Sequence, residues 1–216
     1  MIIDYCDHKI YKYIQSNMVN HHIQFKGSWL ASKVLGLLGW KLIFNGLPAM
    51  RGVLVVYPHT SNWDFCIGLL AKWAIGMPVR FLAKDSLFKI PLLGSWFRYL
   101  GGFSVDRTSP QGYVNDLAMK MCEQSYCWVL FTPEGTRKYT PGWRSGFYQL
   151  SIQAQVPIGM ATIDYGSKEI GILDFFSPTE DENQDLAVLR AVYTGRLGFN
   201  PHSAAPVTFW SPFKNK

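Results

Sequence analysis

The sequence predicts an α/β fold: a single domain on a mixed, mostly parallel sheet flanked by helices, preceded by an N-terminal two-helix segment. Short apolar runs at 53–56, 79–83, 127–132 and 156–165 alternate with longer stretches of helical periodicity. The run at 53–56 is apolar throughout and β-branched, as a strand covered on both faces must be. Of the 216 residues, 48% are hydrophobic and 17% charged, enough for one sizeable core and too apolar for disorder.

Tyr5, Ile10, Tyr13, Ile14 and Met18 recur at roughly helical spacing over 1–27. Gly27 breaks that pattern, and Ser28 can cap a second helix over 29–38. Its apolar side is Trp29, Leu30, Val34, Leu37 and Leu38, ringed by Lys26, Lys33 and Lys41. Residues 1–40 therefore form a helical segment that either rests in a lipid interface or packs on the sheet. The α/β domain takes 41–216, with strands over 41–46 and 53–57. A helix over 63–76 is ended by Gly76 and Pro78. A strand over 79–83 leads to helical pieces over 86–100, broken at Pro91. Then follow a strand over 103–107, a helix over 109–123, a strand over 127–132 and a helix over 146–153. Strands over 156–165 and 170–175 and a helix over 186–193 complete the chain.

The formal charge of +6 suits nucleic acid, an anionic membrane or a phosphorylated substrate. Eight Trp and fourteen Phe in a basic chain tilt that choice toward a membrane interface. No run reaches the roughly 20 apolar residues of a spanning helix, which leaves a peripheral or monotopic mode. Asp4 and Asp7 near Met1 do not fit a secretory signal. Cys6, Cys66, Cys122 and Cys127 form no CxxC pair and no metal spacing, so four reduced thiols and the cytoplasmic face are expected.

The chemistry lies where strands end. His59 follows the 53–57 strand and precedes Thr60, Ser61 and Asn62, all able to cap the next helix. Asp64 is five residues on, and on one helix the two side chains would stand roughly 140° apart. They meet only if His59 is on the turn and Asp64 in the first helical turn. An imidazole held by a carboxylate has a fixed tautomer and can take a proton from a hydroxyl. Ser61-x-x-Asp64 also fits a capping box, which would make Asp64 structural. Two further strand ends carry Asp106-Arg107 and Thr132-Pro133-Glu134-Gly135-Thr136-Arg137. Either arginine can grip an anion with a planar fork. Glu134 can accept from hydroxyls or hold an arginine, and Gly135 lets the backbone approach a ligand. Backbone N–H groups at the start of the 63–76 helix can serve an oxyanion.

His59-x4-Asp64, Gly102-Phe103-Ser104-Val105-Asp106-Arg107, Phe131-Thr132-Pro133-Glu134-Gly135-Thr136-Arg137 and Val156-Pro157-Ile158-Gly159 stand in the order of the four glycerolipid acyltransferase motifs. The chain resembles the 1-acylglycerol-3-phosphate acyltransferases over about residues 55 to 160. That resemblance implies acyl transfer from acyl-CoA or acyl carrier protein to a lysophospholipid hydroxyl, at a membrane surface and without cofactor or metal. It implies His59 as general base, Asp64 as its orienter, and Arg107, Glu134, Gly135, Thr136 and Arg137 at the acceptor. Pro58 stands where many members have Asn, and the match fades past Ile158, so another lysolipid or an amino-lipid acceptor stays open. A non-catalytic lipid-binding module is the rival from another class, against which the intact His59 and Asp64 speak. A nucleic-acid-binding domain lacks support, since no helix is rich in Lys and Arg.

Overall fold

Val53, Val55 and their neighbours form the spine of the molecule. The computed structural model describes residues 23–105 and 110–210. Its strands are β1 (Lys41–Ile43), β2 (Arg51–Val56), β3 (Val79–Lys84), β4 (Gly102–Val105), β5 (Cys127–Phe131), β6 (Ile158–Asp164) and β7 (Glu169–Phe176). They make one sheet in the order β1-β7-β6-β2-β5-β3-β4. β2 pairs in parallel with β5 on one side, Val53 opposite Val129, and with β6 on the other, Val55 opposite Met160. β7 runs antiparallel to β6 and parallel to β1, so β7 and β1 together run opposite to the other five strands. The sheet is mixed and mostly parallel, as the sequence predicts.

The helices are α1 (Trp29–Leu37), α2 (Trp63–Ile75), α3 (Asp85–Phe88), α4 (Leu93–Tyr99), α5 (Pro110–Glu123), α6 (Gly146–Ala154) and α7 (Glu182–Tyr193). Strand alternation assigns them to two layers. Val53, Val55 and Tyr57 point to a core shared with Met121 of α5, Phe147 of α6 and Leu189 of α7. Leu54 and Val56 point the other way, to a core with Leu35 of α1 and Ile67 and Ala71 of α2. Each such aliphatic side chain, fully buried, contributes roughly 1.5–3 kcal/mol. Both cores therefore clamp β2, the strand from whose end the His59 turn leaves.

α1 forms where Ser28 predicts it, with the Ser28 hydroxyl accepting from the Ala31 N–H at 3.3 Å. Its burial differs from the expected apolar side. Ala31 and Leu35 face α2, while Trp29, Leu30 and Leu37 are exposed. Only one stripe of a helix can face its neighbour, and the 31/35 pair lies on it. The helix expected over 1–27 lies outside the described residues up to 22. Ile23 instead exchanges backbone hydrogen bonds with Leu47. The expectation of four reduced cysteines fails at Cys122, which is disulfide-bonded, whereas Cys66 and Cys127 are free thiols. Disulfide pairing follows proximity in the fold, which spacing along the chain does not reveal. Among the described residues no helix is long and apolar enough to cross a membrane.

Leu35 is 1% exposed and Leu37 is 87% exposed. Leu35→Ala should cost about 2–5 kcal/mol in urea unfolding. Leu37→Ala should stay within about 0.5 kcal/mol.

Candidate active site

β2 ends at Val56, and the turn through His59 and Ser61 carries the chain into α2. The Ser61 hydroxyl accepts from the Trp63 N–H at 3.2 Å. Asp64, in the first turn of α2, reaches back over this turn. One of its oxygens accepts from the N–H groups of Thr60 and Ser61, at 2.8 and 2.9 Å. The same oxygen lies 3.1 Å from His59 Nδ1. The other accepts from the Tyr165 hydroxyl at 2.9 Å. One carboxylate thus both caps the turn and lies within hydrogen-bond distance of the His59 ring. Burial alone would push its carboxyl up, but hydrogen bonds from His59, the Ser61 N–H and Tyr165 outweigh this and hold it below the usual carboxylate range. With Nδ1 donating to Asp64, His59 keeps Nε2 as its proton acceptor.

The β5–α6 connection supplies the facing side. Gly135 takes a left-handed φ of 66°, and a Cβ there would come within 2.9 Å of Arg144 Nε. Glu134 is 2% exposed. One carboxylate oxygen accepts from the His59 N–H at 2.7 Å and the other from the Ala205 N–H at 3.0 Å. Burial is the main cause that raises its carboxyl to about 7, with the nearby Asp64 charge adding to it. Arg137 Nε donates to the Ser61 carbonyl at 3.2 Å, and its side chain is otherwise exposed. Arg107 lies outside the described residues.

These groups open on a cavity of about 1240 Å³. His59, Thr132, Gly135, Thr136, Arg137 and Arg144 line its polar part. Leu54, Val56, Ala71, Ile75, Met77 and Ile163 line an apolar part between α2 and the sheet. Glu134 is not in the wall, although Pro133 and Gly135 on either side are. No cluster of three metal-ligating side chains occurs among the described residues.

Sequence reasoning missed Arg144, Tyr165, Asn200 and Ala205. Arg144 was legible as a cation in the loop that follows Arg137. The other three act from far along the chain, and no local pattern marks them. The expected oxyanion donors are also narrowed: the N–H groups of Thr60, Ser61 and Trp63 are taken by side chains of the turn itself. Asn62, whose side chain caps nothing and which lines the cavity, is a further donor of that turn.

A family model described as Acyltransferase matches residues 44–163. Among solved structures, the chain is similar to the crystal structure of the 1-acyl-sn-glycerophosphate (LPA) acyltransferase PlsC from Thermotoga maritima. The identity is 18% and the TM-score 0.46, with 85% of this chain and 78% of that one covered. No curated protein sequence matches at a significant level.

Because Glu134 titrates near 7 rather than 4.5, the folded chain keeps a proton that the unfolded chain loses. Stability from this group therefore falls as pH rises from about 4.5 to about 7, by about 3 kcal/mol in all. Glu134→Gln should remove that slope. Urea unfolding of both proteins at about pH 5 and about pH 8 measures it.

Proposed function

The chain belongs to the acyltransferase family, and from that premise we propose that it moves a fatty acyl group from a thioester donor, acyl-CoA or acyl carrier protein, to the hydroxyl of a lysophospholipid such as 1-acylglycerol-3-phosphate. The observation that carries this is the His59–Asp64 pair on the wall of a cavity with a cationic part and an apolar part. A phosphate needs the first and an acyl chain the second.

His59 Nε2 takes the acceptor's hydroxyl proton as the oxygen attacks the thioester carbonyl. The imidazolium that forms lies 3.1 Å from the ionised Asp64, which stabilises it. The carbonyl electron pair moves onto oxygen, where donors at the turn compensate the charge. When the pair returns, the carbon–sulfur bond breaks and His59 gives its proton to the leaving thiolate. No covalent enzyme intermediate is needed, since a thiolate already leaves well. Arg137 and Arg107 hold the acceptor's phosphate, and Gly135 and Thr136 shape the wall beside it.

Residues 1–40 seat the protein on the cytoplasmic membrane face, where the thioester donors are found. Trp29, Leu30, Leu37 and Trp63 offer exposed apolar surface, with Lys33 4.9 Å from the Trp29 ring. A lipid chain drawn through water would cost about 0.8 kcal/mol per methylene, which an interfacial enzyme avoids.

A panel of lysolipid acceptors with acyl-CoA and acyl carrier protein thioesters tests the activity. His59→Ala should abolish transfer with the fold intact, and activity retained in that variant would refute the mechanism. Arg137→Lys keeps the charge but loses the fork, so it should raise the KM of a phosphate-bearing acceptor and leave the donor KM alone. For the membrane, Leu30→Glu with Leu37→Glu should reduce flotation with anionic liposomes while leaving the core unchanged. Equal flotation would remove α1 from the lipid contact.

A further inference from the structure

Glu134 shares a turn with Gly135, Thr136 and Arg137, and the family resemblance sets it with them at the acceptor. Its surroundings assign it another task. We propose that Glu134 is a positioning residue that clasps the His59 turn to residues 198–205, and that it does not touch the acceptor. The proposal rests on the reading of His59 as the base.

Both carboxylate oxygens are already committed, at 2.7 Å to the His59 N–H and at 3.0 Å to the Ala205 N–H. The side chain is buried behind the cavity wall, so a substrate hydroxyl has no path to it. The segment it grasps meets the same turn through three other hydrogen bonds and one close approach. Asn200 donates its N–H to the Thr60 hydroxyl at 3.0 Å and its side-chain amide to the Thr60 carbonyl at 2.9 Å. The Tyr57 hydroxyl donates to the Ala205 carbonyl at 2.9 Å. Gly198 lies so near that a Cβ there would stand 2.5 Å from the Thr60 hydroxyl. Tyr57, His59 and Thr60 are thus each tied, directly or through Glu134, to one segment that lies outside residues 44–163 of the family match. In its ionised form, above about pH 7, a buried carboxylate between two N–H donors makes charge-assisted bonds to both and resists sliding of either strand of chain. For a base that must meet a hydroxyl within a few tenths of an ångström, such fixing of its own backbone sets the rate.

The full chain is assayed with 1-acylglycerol-3-phosphate and acyl-CoA, and His59→Ala is measured in parallel. At about pH 8, where Glu134 is ionised, Glu134→Gln offers one acceptor and one clashing donor in place of two acceptors, so kcat should fall on the order of 100-fold with the acceptor KM within about twofold. Asn200→Ala, at an exposed position, should lower kcat about tenfold with KM unchanged. The double variant should lose less than the product of the two, because both hold one turn. Backbone amide exchange at His59 and Ala205 should speed up at least about tenfold in Glu134→Gln, whatever the activity. A raised acceptor KM with kcat kept would make Glu134 an acceptor contact and overturn the proposal. Unchanged amide exchange in Glu134→Gln would overturn it too. Should Glu134→Gln not fold, an unchanged kcat in Asn200→Ala overturns it. Activity retained in His59→Ala would instead refute the reading of the base, with the exchange result still deciding the clasp.

Discussion

The Asp64 carboxylate is the interaction on which the site depends. It is 2% exposed and accepts from His59, Thr60, Ser61 and Tyr165. A charge so buried is tolerated only because its lone pairs are filled. Three of the four donors belong to the turn between β2 and α2, so satisfying the charge folds that turn into one shape. The fourth, Tyr165, follows β6 and is itself held by Trp40 and Phe199, whose rings pack edge-on against it at 4.9 and 5.2 Å. The His59–Asp64 contact is therefore part of how the buried charge is satisfied, and both cores of the sheet support that turn through β2.

A second buried carboxylate stands close by and is shifted the opposite way. Asp64 has enough donors to overcome burial and stays ionised. Glu134 has two, and burial together with Asp64's charge raises it to about 7. Two carboxylates in one neighbourhood thus receive different tasks from their surroundings, one facing the imidazole and one facing the backbone behind it.

Much of the fold was legible because strand and helix signals here are local. The apolar run at 53–56, the cap at Ser28 and the breaks at Gly76 and Pro91 each mark an element that the structure contains. Which stripe of α1 packs was not legible, because hydrophobicity alone does not say which stripe of a helix meets a neighbour. Leu37 looks like core in sequence and is 87% exposed, whereas Ala31 anchors the helix. At the site, His59 and Asp64 could be paired from their spacing and the strand end. Glu134 could be picked out but not placed, because its partners His59 and Ala205 are 75 and 71 residues away. Tyr165 and Asn200 lie 101 and 140 residues from the groups they hold, and long-range contacts of that kind have no periodic signature.

The central claim is that His59 presents a bare Nε2 to the cavity because Asp64 claims the proton on Nδ1. Nitrogen NMR of the labelled full chain, with the ring neutral, reads that tautomer directly. The account predicts a protonated Nδ1 and an unprotonated Nε2, a preference that weakens in Asp64→Ala. A neutral ring with its proton on Nε2 would contradict it, since His59 could then accept nothing from an acceptor hydroxyl.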